Sequence, residues 1–485
     1  MRAKDMRIIK SWPGKPSIFL TGKPPKPNWR SLDMFKSSKF KGKKACVLGM
    51  GKSGLAAARL LAENGFSVLI SDGGKREIPG NLHKNIEVET GGHTNKILDC
   101  GFIVKSPGIS SNMPVLKKIK NKKIPIFSEI EISISFLPKG CRIFAVTGTN
   151  GKTTTTMLLS EILKQFIKNK EFNKNVFTVG NIGCPLAEVM SEIKQHDLIV
   201  MEVSSYQLED SSYFKPYAAT ILNITPDHID HHGSFKKYLD AKSKIFKFQT
   251  QKDIAVINSA DKNCLKAAKN IKSKLYGFAT TPLQQIRSHV FYDGDELVFS
   301  AGERISPPKL PGIHNVENAM AASLLALAAG VDSQSIQQAF NKFKTVEHRI
   351  ELLGIKKGIS FINDSKATNI DSTIIALRSM PDGKKTWLIL GGQDKGSPYG
   401  VLLPLLETKC KKVLLVGQAA AKIKKDLPGY KYFNVCGTID KAVEYAFNNA
   451  QKEDIILLSP ACASFDQFNN FEERGKFFKQ IYKSL

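Results

Sequence analysis

The segment RIFAVTGTNGKTTTTMLLSEIL, Arg142 to Leu163, constrains this chain more than any other. A β-branched apolar run enters a glycine loop and leaves as a threonine- and leucine-rich helix, so the order strand, loop, helix is set locally. Backbone N–H groups at such a helix start, together with the helix dipole, cradle phosphate. In Gly148-Thr149-Asn150-Gly151-Lys152-Thr153-Thr154, Lys152 is placed to neutralise terminal phosphates and Thr153 to give its hydroxyl to Mg²⁺. The longer form of this loop has one more glycine, at the position that Val146 fills here, so only the short G-x-x-G-K-T form is present. The expected ligand is ATP, bound by a central α/β domain.

A chain of 485 residues is too long for one core and suggests about three domains of roughly 150 residues. Residues 1–42 are Lys- and Pro-rich without periodicity and read as a basic flexible extension. Strand–helix–strand order then gives an α/β domain over 43–134, the ATP-binding domain over 135–345, and a third α/β domain over 346–485 that holds TWLILGG, KVLLVG and DIILLSP. These apolar runs are strand-length, far below the roughly 20 residues of a membrane helix, so no membrane insertion is expected. The net charge of +27 is mostly Lys spread along the chain, which favours a solvated surface and no nucleic-acid partner. A nucleic-acid-binding P-loop ATPase is the alternative that this charge keeps open. The eight Cys form no CxxC pair, and the N-terminus lacks the uninterrupted apolar core of a secretory signal, so reduced thiols and a cytoplasmic location are expected.

Two further motifs carry chemistry. Gly49-Met50-Gly51-Lys52-Ser53-Gly54 follows a strand, opens a helix, and precedes Asp72 at the end of the next strand. Alone it predicts NAD; the same loop holds any pyrophosphate, and nothing downstream supplies a hydride-transfer site. Asp227-His228-Ile229-Asp230-His231-His232 packs acids and imidazoles into six residues and also fits the DHH motif of a phosphoesterase family. Mg²⁺ prefers oxygen ligands, so one imidazole near it is expected, with His231 and His232 solvated. Glu202, ending the strand LIVMEVSS, is the better Mg²⁺ ligand.

GTNGKTT, GNIG, EVSSYQLE, NITPDHID, HNVENAMAA, EHRIE, NDSKATN and SPACASFDQF occur in that order. From about Lys43 onward the chain resembles the Mur ligases of peptidoglycan synthesis, and NDSKATN with SPACASFDQF resembles their D-glutamate-adding branch. The resemblance implies a three-domain architecture: a Rossmann-like N-terminal domain, a central P-loop ATPase domain and a Rossmann-like C-terminal domain. It implies a monomer that uses ATP to add D-glutamate to UDP-N-acetylmuramoyl-L-alanine through an acyl phosphate. An L-alanine-adding or folylpolyglutamate synthase-like ligase is the alternative within the superfamily. By resemblance, two Mg²⁺ ions are held by Thr153 and Glu202 and by His228 and Lys242, the latter as a carbamate. Gly49, Gly51, Ser53, Asp72, Ser106, Pro107, Gly108 and Asn181 would hold the UDP substrate. Asn315, Asn318, Arg349 and Asp364 would contact ATP, and Thr368, Lys395, Ser464 and Phe471 would hold D-glutamate. Arg349, Asp364 and Lys395 belong to a different domain from Lys152, so domain closure would complete the site.

Overall fold

The computed structural model describes residue 40 and residues 43–485, apart from 110–112, 282–288, 345–346, 395 and 397. Three sheets carry the chain. In the first, the strands Ile86–Thr90, Val68–Asp72, Ala45–Leu48, Phe102–Lys105 and Ile126–Ser128 lie side by side in that order, all parallel. Val47 pairs with Ile70 on one side and Val104 on the other. The three inner strands are buried along their whole length, which is why they read as near-continuous apolar runs, whereas the edge strand Ile86–Thr90 is only partly buried and alternates.

Of the expected extension over 1–42, the described residues include Phe40, and it is not extended into solvent. It is 2% exposed and meets Phe102 edge-on at 5.2 Å and Phe127 at 6.1 Å. The core of the first sheet therefore begins before Lys43. Aromatics at irregular spacing in a Lys-rich stretch give no periodic signal, so this anchor was not legible in the sequence.

The second sheet has nine strands, in which Arg142–Thr147 lies between Ala218–Ile221 and Leu198–Glu202, third from one edge. Its far edge, Val290–Tyr292, Leu297–Phe299 and Arg304–Ile305, pairs antiparallel. The helix Lys152–Asn169 starts directly after the glycine loop. These two sheets belong to one compact unit, made of the described residues up to 308 with 317–342. A second unit comprises 309–316 with 343–485. Its six-stranded sheet runs parallel except for Glu351–Lys356, which pairs antiparallel with Ile359–Asn363. Among the described residues, no helix is long and apolar enough to cross a membrane.

Candidate active site

The central sheet delivers the loop 148–151 between its strand and the helix Lys152–Asn169. Gly151 has φ +83°, and a Cβ there would stand 2.2 Å from Asn318 Oδ1, so glycine is required twice over. Thr155 Oγ1 donates to the same Asn318 oxygen at 3.2 Å, which ties the loop to the helix Ile313–Ala328. Asn223 closes the other side: its Oδ1 accepts from Asn150 N at 2.8 Å and its Nδ2 donates to Asn150 O. Thr149 Oγ1 lies 2.9 Å from the Tyr238 hydroxyl, and Thr154 is buried. The Lys152 ammonium donates to Gly148 O at 2.9 Å and Thr149 O at 2.8 Å, folded over the loop it is expected to serve.

Glu202 ends the strand Leu198–Glu202 and is 1% exposed. Thr153 Oγ1 donates to its Oε2 at 2.8 Å, and Asn181 Nδ2 donates to its Oε1 at 2.8 Å. The structure thus brings together the hydroxyl and carboxylate expected to hold a cation. Asn181, expected to contact the muramoyl substrate, bonds Glu202 through both side chain and backbone N–H.

Lys242 lies on the helix Phe235–Lys247 and is 2% exposed. Its Nζ donates to Gly148 O at 2.8 Å and sits 4.8 Å above the Tyr238 ring. Burial, and then the charge of Lys152, push its pKa well below that of a free lysine. His228 is left-handed at φ +54°, with Nδ1 2.9 Å from the Tyr206 hydroxyl and Nε2 3.5 Å from Asp227 Oδ2. His231 and His232 do not fit the expectation of solvated side chains. His232 is 3% exposed with Nε2 3.0 Å from Ser205 Oγ, and His231 Nε2 lies 2.8 Å from Glu209 Oε2. The short helix Ile229–His232 turns both rings inward against Tyr206, a direction that sequence spacing alone does not give.

In the N-terminal sheet, Asp72 clamps the glycine loop: Met50 N donates to its Oδ2 at 2.6 Å and Gly74 N to its Oδ1 at 2.8 Å. Burial alone would raise the carboxyl pKa; these two amides and Arg76 outweigh it and lower it. Gly49 has φ +94°, and Ser106 Oγ donates to Gly49 O at 3.4 Å. Gly51 caps the helix Lys52–Glu63, Ser53 is half-buried in its first turn, and Pro107 and Gly108 continue from the neighbouring strand.

In the second unit, Asp364 is 1% exposed, accepting from Ser459 Oγ at 2.8 Å and Ile350 N at 3.2 Å. Burial dominates over the nearby Arg349 and pushes its pKa up to about 6. Arg349 also faces His314, whose pKa burial lowers to about 4. Asn315 Nδ2 donates to Pro311 O at 2.7 Å. Thr368 N donates to Lys366 O, Ser464 is buried, and Phe471 O accepts from Ser365 Oγ at 2.8 Å. Lys395 lies outside the described residues. Sequence reasoning missed Arg474, buried at 2% and fixed by Ser365 and the carbonyls of Cys462 and Ala463. It also missed Lys366, whose ammonium lies 5.0 Å over the Phe471 ring.

Comparison with known proteins places these features in context. The family models described as Mur ligase MurD-like N-terminal domain, Mur ligase middle domain, and Mur ligase glutamate ligase domain match residues 43–128, 146–326 and 348–462. The UDP-N-acetylmuramoylalanine–D-glutamate ligase of Koribacter versatilis is 41% identical, covering 92% of this chain and 98% of its own. The protein of the same name from Acidobacterium capsulatum is also 41% identical, over 91% of this chain and 96% of its own. Among solved structures, the UDP-N-acetylmuramate–alanine ligase of Thermotoga maritima superposes with a TM-score of 0.57 at 19% identity, over 91% of this chain and 99% of that one. MurF from Acinetobacter baumannii gives 0.56 at 18% identity, over 92% of each chain. At that identity the two structures speak for the fold.

Proposed function

The chain belongs to the Mur ligase family, and on that premise we propose that it joins D-glutamate to UDP-N-acetylmuramoyl-L-alanine, converting ATP to ADP and phosphate. The observation that carries this reading is the near end-to-end identity of 41% to relatives bearing the D-glutamate ligase name. The chemistry is that of a carboxylate made electrophilic. The alanyl carboxylate attacks the γ-phosphorus, the bond to ADP breaks, and the amine of D-glutamate then displaces phosphate from the acyl phosphate to form the amide. Little covalent work falls to the protein, so its task is positioning and charge neutralisation.

In this reading the loop amides at 148–153 cradle the ATP phosphates, and the Lys152 ammonium leaves its loop carbonyls for the phosphoryl oxygens. Thr153 and Glu202 fit a hard cation, since a hydroxyl and a buried carboxylate already meet at 2.8 Å. Bound Mg²⁺ would supply charge neutralisation between phosphate oxygens. His228 and Lys242 would hold a second ion. An ammonium at Lys242 would repel a cation, but burial favours the neutral amine, which adds to CO₂ with loss of a proton and becomes an anionic carbamate. The loop at Gly49 and Gly51 with Ser53, Ser106, Pro107 and Gly108 would receive the UDP pyrophosphate, Asp72 acting by holding that loop. Arg349, Asp364, Asn315 and Asn318 would contact ATP. Thr368, Lys395, Ser464 and Phe471 would hold D-glutamate, and we place the reaction in the cytoplasm, where ATP and UDP-linked precursors occur. The test is phosphate release with each amino acid in turn: D-glutamate alone should support turnover, and L-alanine doing so instead would overturn the assignment.

A further inference from the structure

Beyond the residues proposed for magnesium, the same motif builds a separate three-ligand cluster. Glu209 ends the helix Ser205–Glu209, while His231 and His232 come from the helix Ile229–His232. His231 Nε2 lies 2.8 Å from Glu209 Oε2, and His232 Nδ1 lies 3.8 Å from Glu209 Oε1. One ligand atom from each of the three residues lies within 4.8 Å of the others. Ligand atoms around a four-coordinate zinc, with bonds of about 2.0–2.1 Å, stand roughly 3.4 Å apart, so small side-chain rotations suffice to close on an ion.

The surroundings fit as well. His232 Nε2 lies 3.0 Å from Ser205 Oγ, and donating its N–H there would leave Nδ1, on the Glu209 side, free for an ion, the outer hydrogen bond that metal-ligating imidazoles characteristically make. The His232 side chain is 1% exposed and that of Glu209 25%, so the cluster meets solvent on the carboxylate side. The Tyr206 ring separates this cluster from the magnesium histidine, 4.2 Å from the His231 ring and 4.9 Å from that of His228. Two imidazoles and one carboxylate select zinc-class ions over Mg²⁺, which takes oxygen ligands.

We propose that Glu209, His231 and His232 form a binding site for a zinc-class divalent ion, distinct from the magnesium–nucleotide residues and independent of the ligase reading. The rival is a plain imidazole–carboxylate ion pair.

The test uses the full chain, stripped by chelator and titrated calorimetrically with Zn²⁺. One equivalent should bind, and Co²⁺ in its place should give the visible absorption of four-coordinate cobalt. Glu209→Gln and His231→Gln should each weaken binding by more than the roughly 10–100-fold expected for Ser205→Ala, which removes only the outer partner. Glu202→Gln should leave it intact. Absence of saturable zinc binding, or affinity unchanged in both ligand variants, overturns the proposal. Where the ligand variants do not fold, X-ray absorption at the zinc edge of the unaltered chain decides: two imidazoles and oxygen support the site, and sulfur ligands or an all-oxygen shell refute it.

Discussion

Glu202→Gln separates the chemistry from the scaffold. The carboxylate is 1% exposed and accepts two hydrogen bonds of 2.8 Å, from Thr153 and Asn181. Hydrogen bonds to a charged acceptor contribute about 1.5–3 kcal/mol each and neutral ones about 0.5–1.5, so an isosteric amide gives up about 2 kcal/mol over the pair. Its oxygen can keep Asn181 and its nitrogen can turn to the Thr153 hydroxyl, which also accepts. Against this stands relief from burying a carboxylate, a penalty of several kcal/mol. The unliganded variant should therefore melt no lower than the parent. With Mg²⁺ and ATP at about 100 times their dissociation constant, the parent gains roughly 2.7 kcal/mol from mass action, and the variant should lose most of that gain. Turnover should fall by about 10²–10³-fold, the scale seen when one transition-state charge partner is removed. Thermal unfolding with and without nucleotide, beside phosphate release, reads all three. Parental turnover with the parental magnesium dependence would refute the assignment of Glu202, and an unfolded apo variant would refute the stability reasoning.

Three other perturbations probe different parts of the structure. Lys242→Ala should be nearly inactive yet partly restored by acetate, because the small carboxylate replaces the carbamate oxygens; full activity without acetate rejects the carbamate. Gly151→Ala forces a left-handed alanine, costing about 1–2 kcal/mol, and drives its Cβ to 2.2 Å from Asn318 Oδ1. Its urea midpoint should fall, and adding Asn318→Ala should recover only the clash component. Glu129 is 2% exposed, and burial pushes its carboxyl up to about 7 against opposing hydrogen bonds from Ser133 and Ala187. The folded state thus holds a proton that the unfolded chain releases near 4.5, so this contribution is complete below that pH and is lost as pH rises toward 7. Glu129→Gln should remove that loss and raise the urea midpoint at pH 8 relative to the parent, with little difference at pH 4; a lower midpoint at pH 8 contradicts the reasoning.

The turn at Gly151 and the helix that starts at Lys152 were legible because they rest on local backbone geometry that spacing encodes. That Glu202 ends a strand beside this loop was legible for a related reason, since the ends of parallel strands share one edge of the sheet. Tyr238, Asn223 and Arg474 were not: each acts across the fold, from a residue type common in cores and helices. His231 and His232 were misread as solvated because a run of polar residues gives no direction, and a left-handed His228 followed by one helical turn sets it. The antiparallel edge over 290–305 escaped notice because three strands of two or three residues are too short to show alternation. Asp72 was seen, but its bonds to Met50 and Gly74 give it a loop-holding task that composition cannot distinguish from ligand contact.

The most direct measurement is mass spectrometry of the product formed from ATP, Mg²⁺, UDP-N-acetylmuramoyl-L-alanine and isotopically labelled D-glutamate. A nucleotide-linked product carrying the label in a new amide, formed with equimolar ADP and phosphate, is the predicted result. ATP turnover without a labelled amide, or no turnover at all, contradicts it.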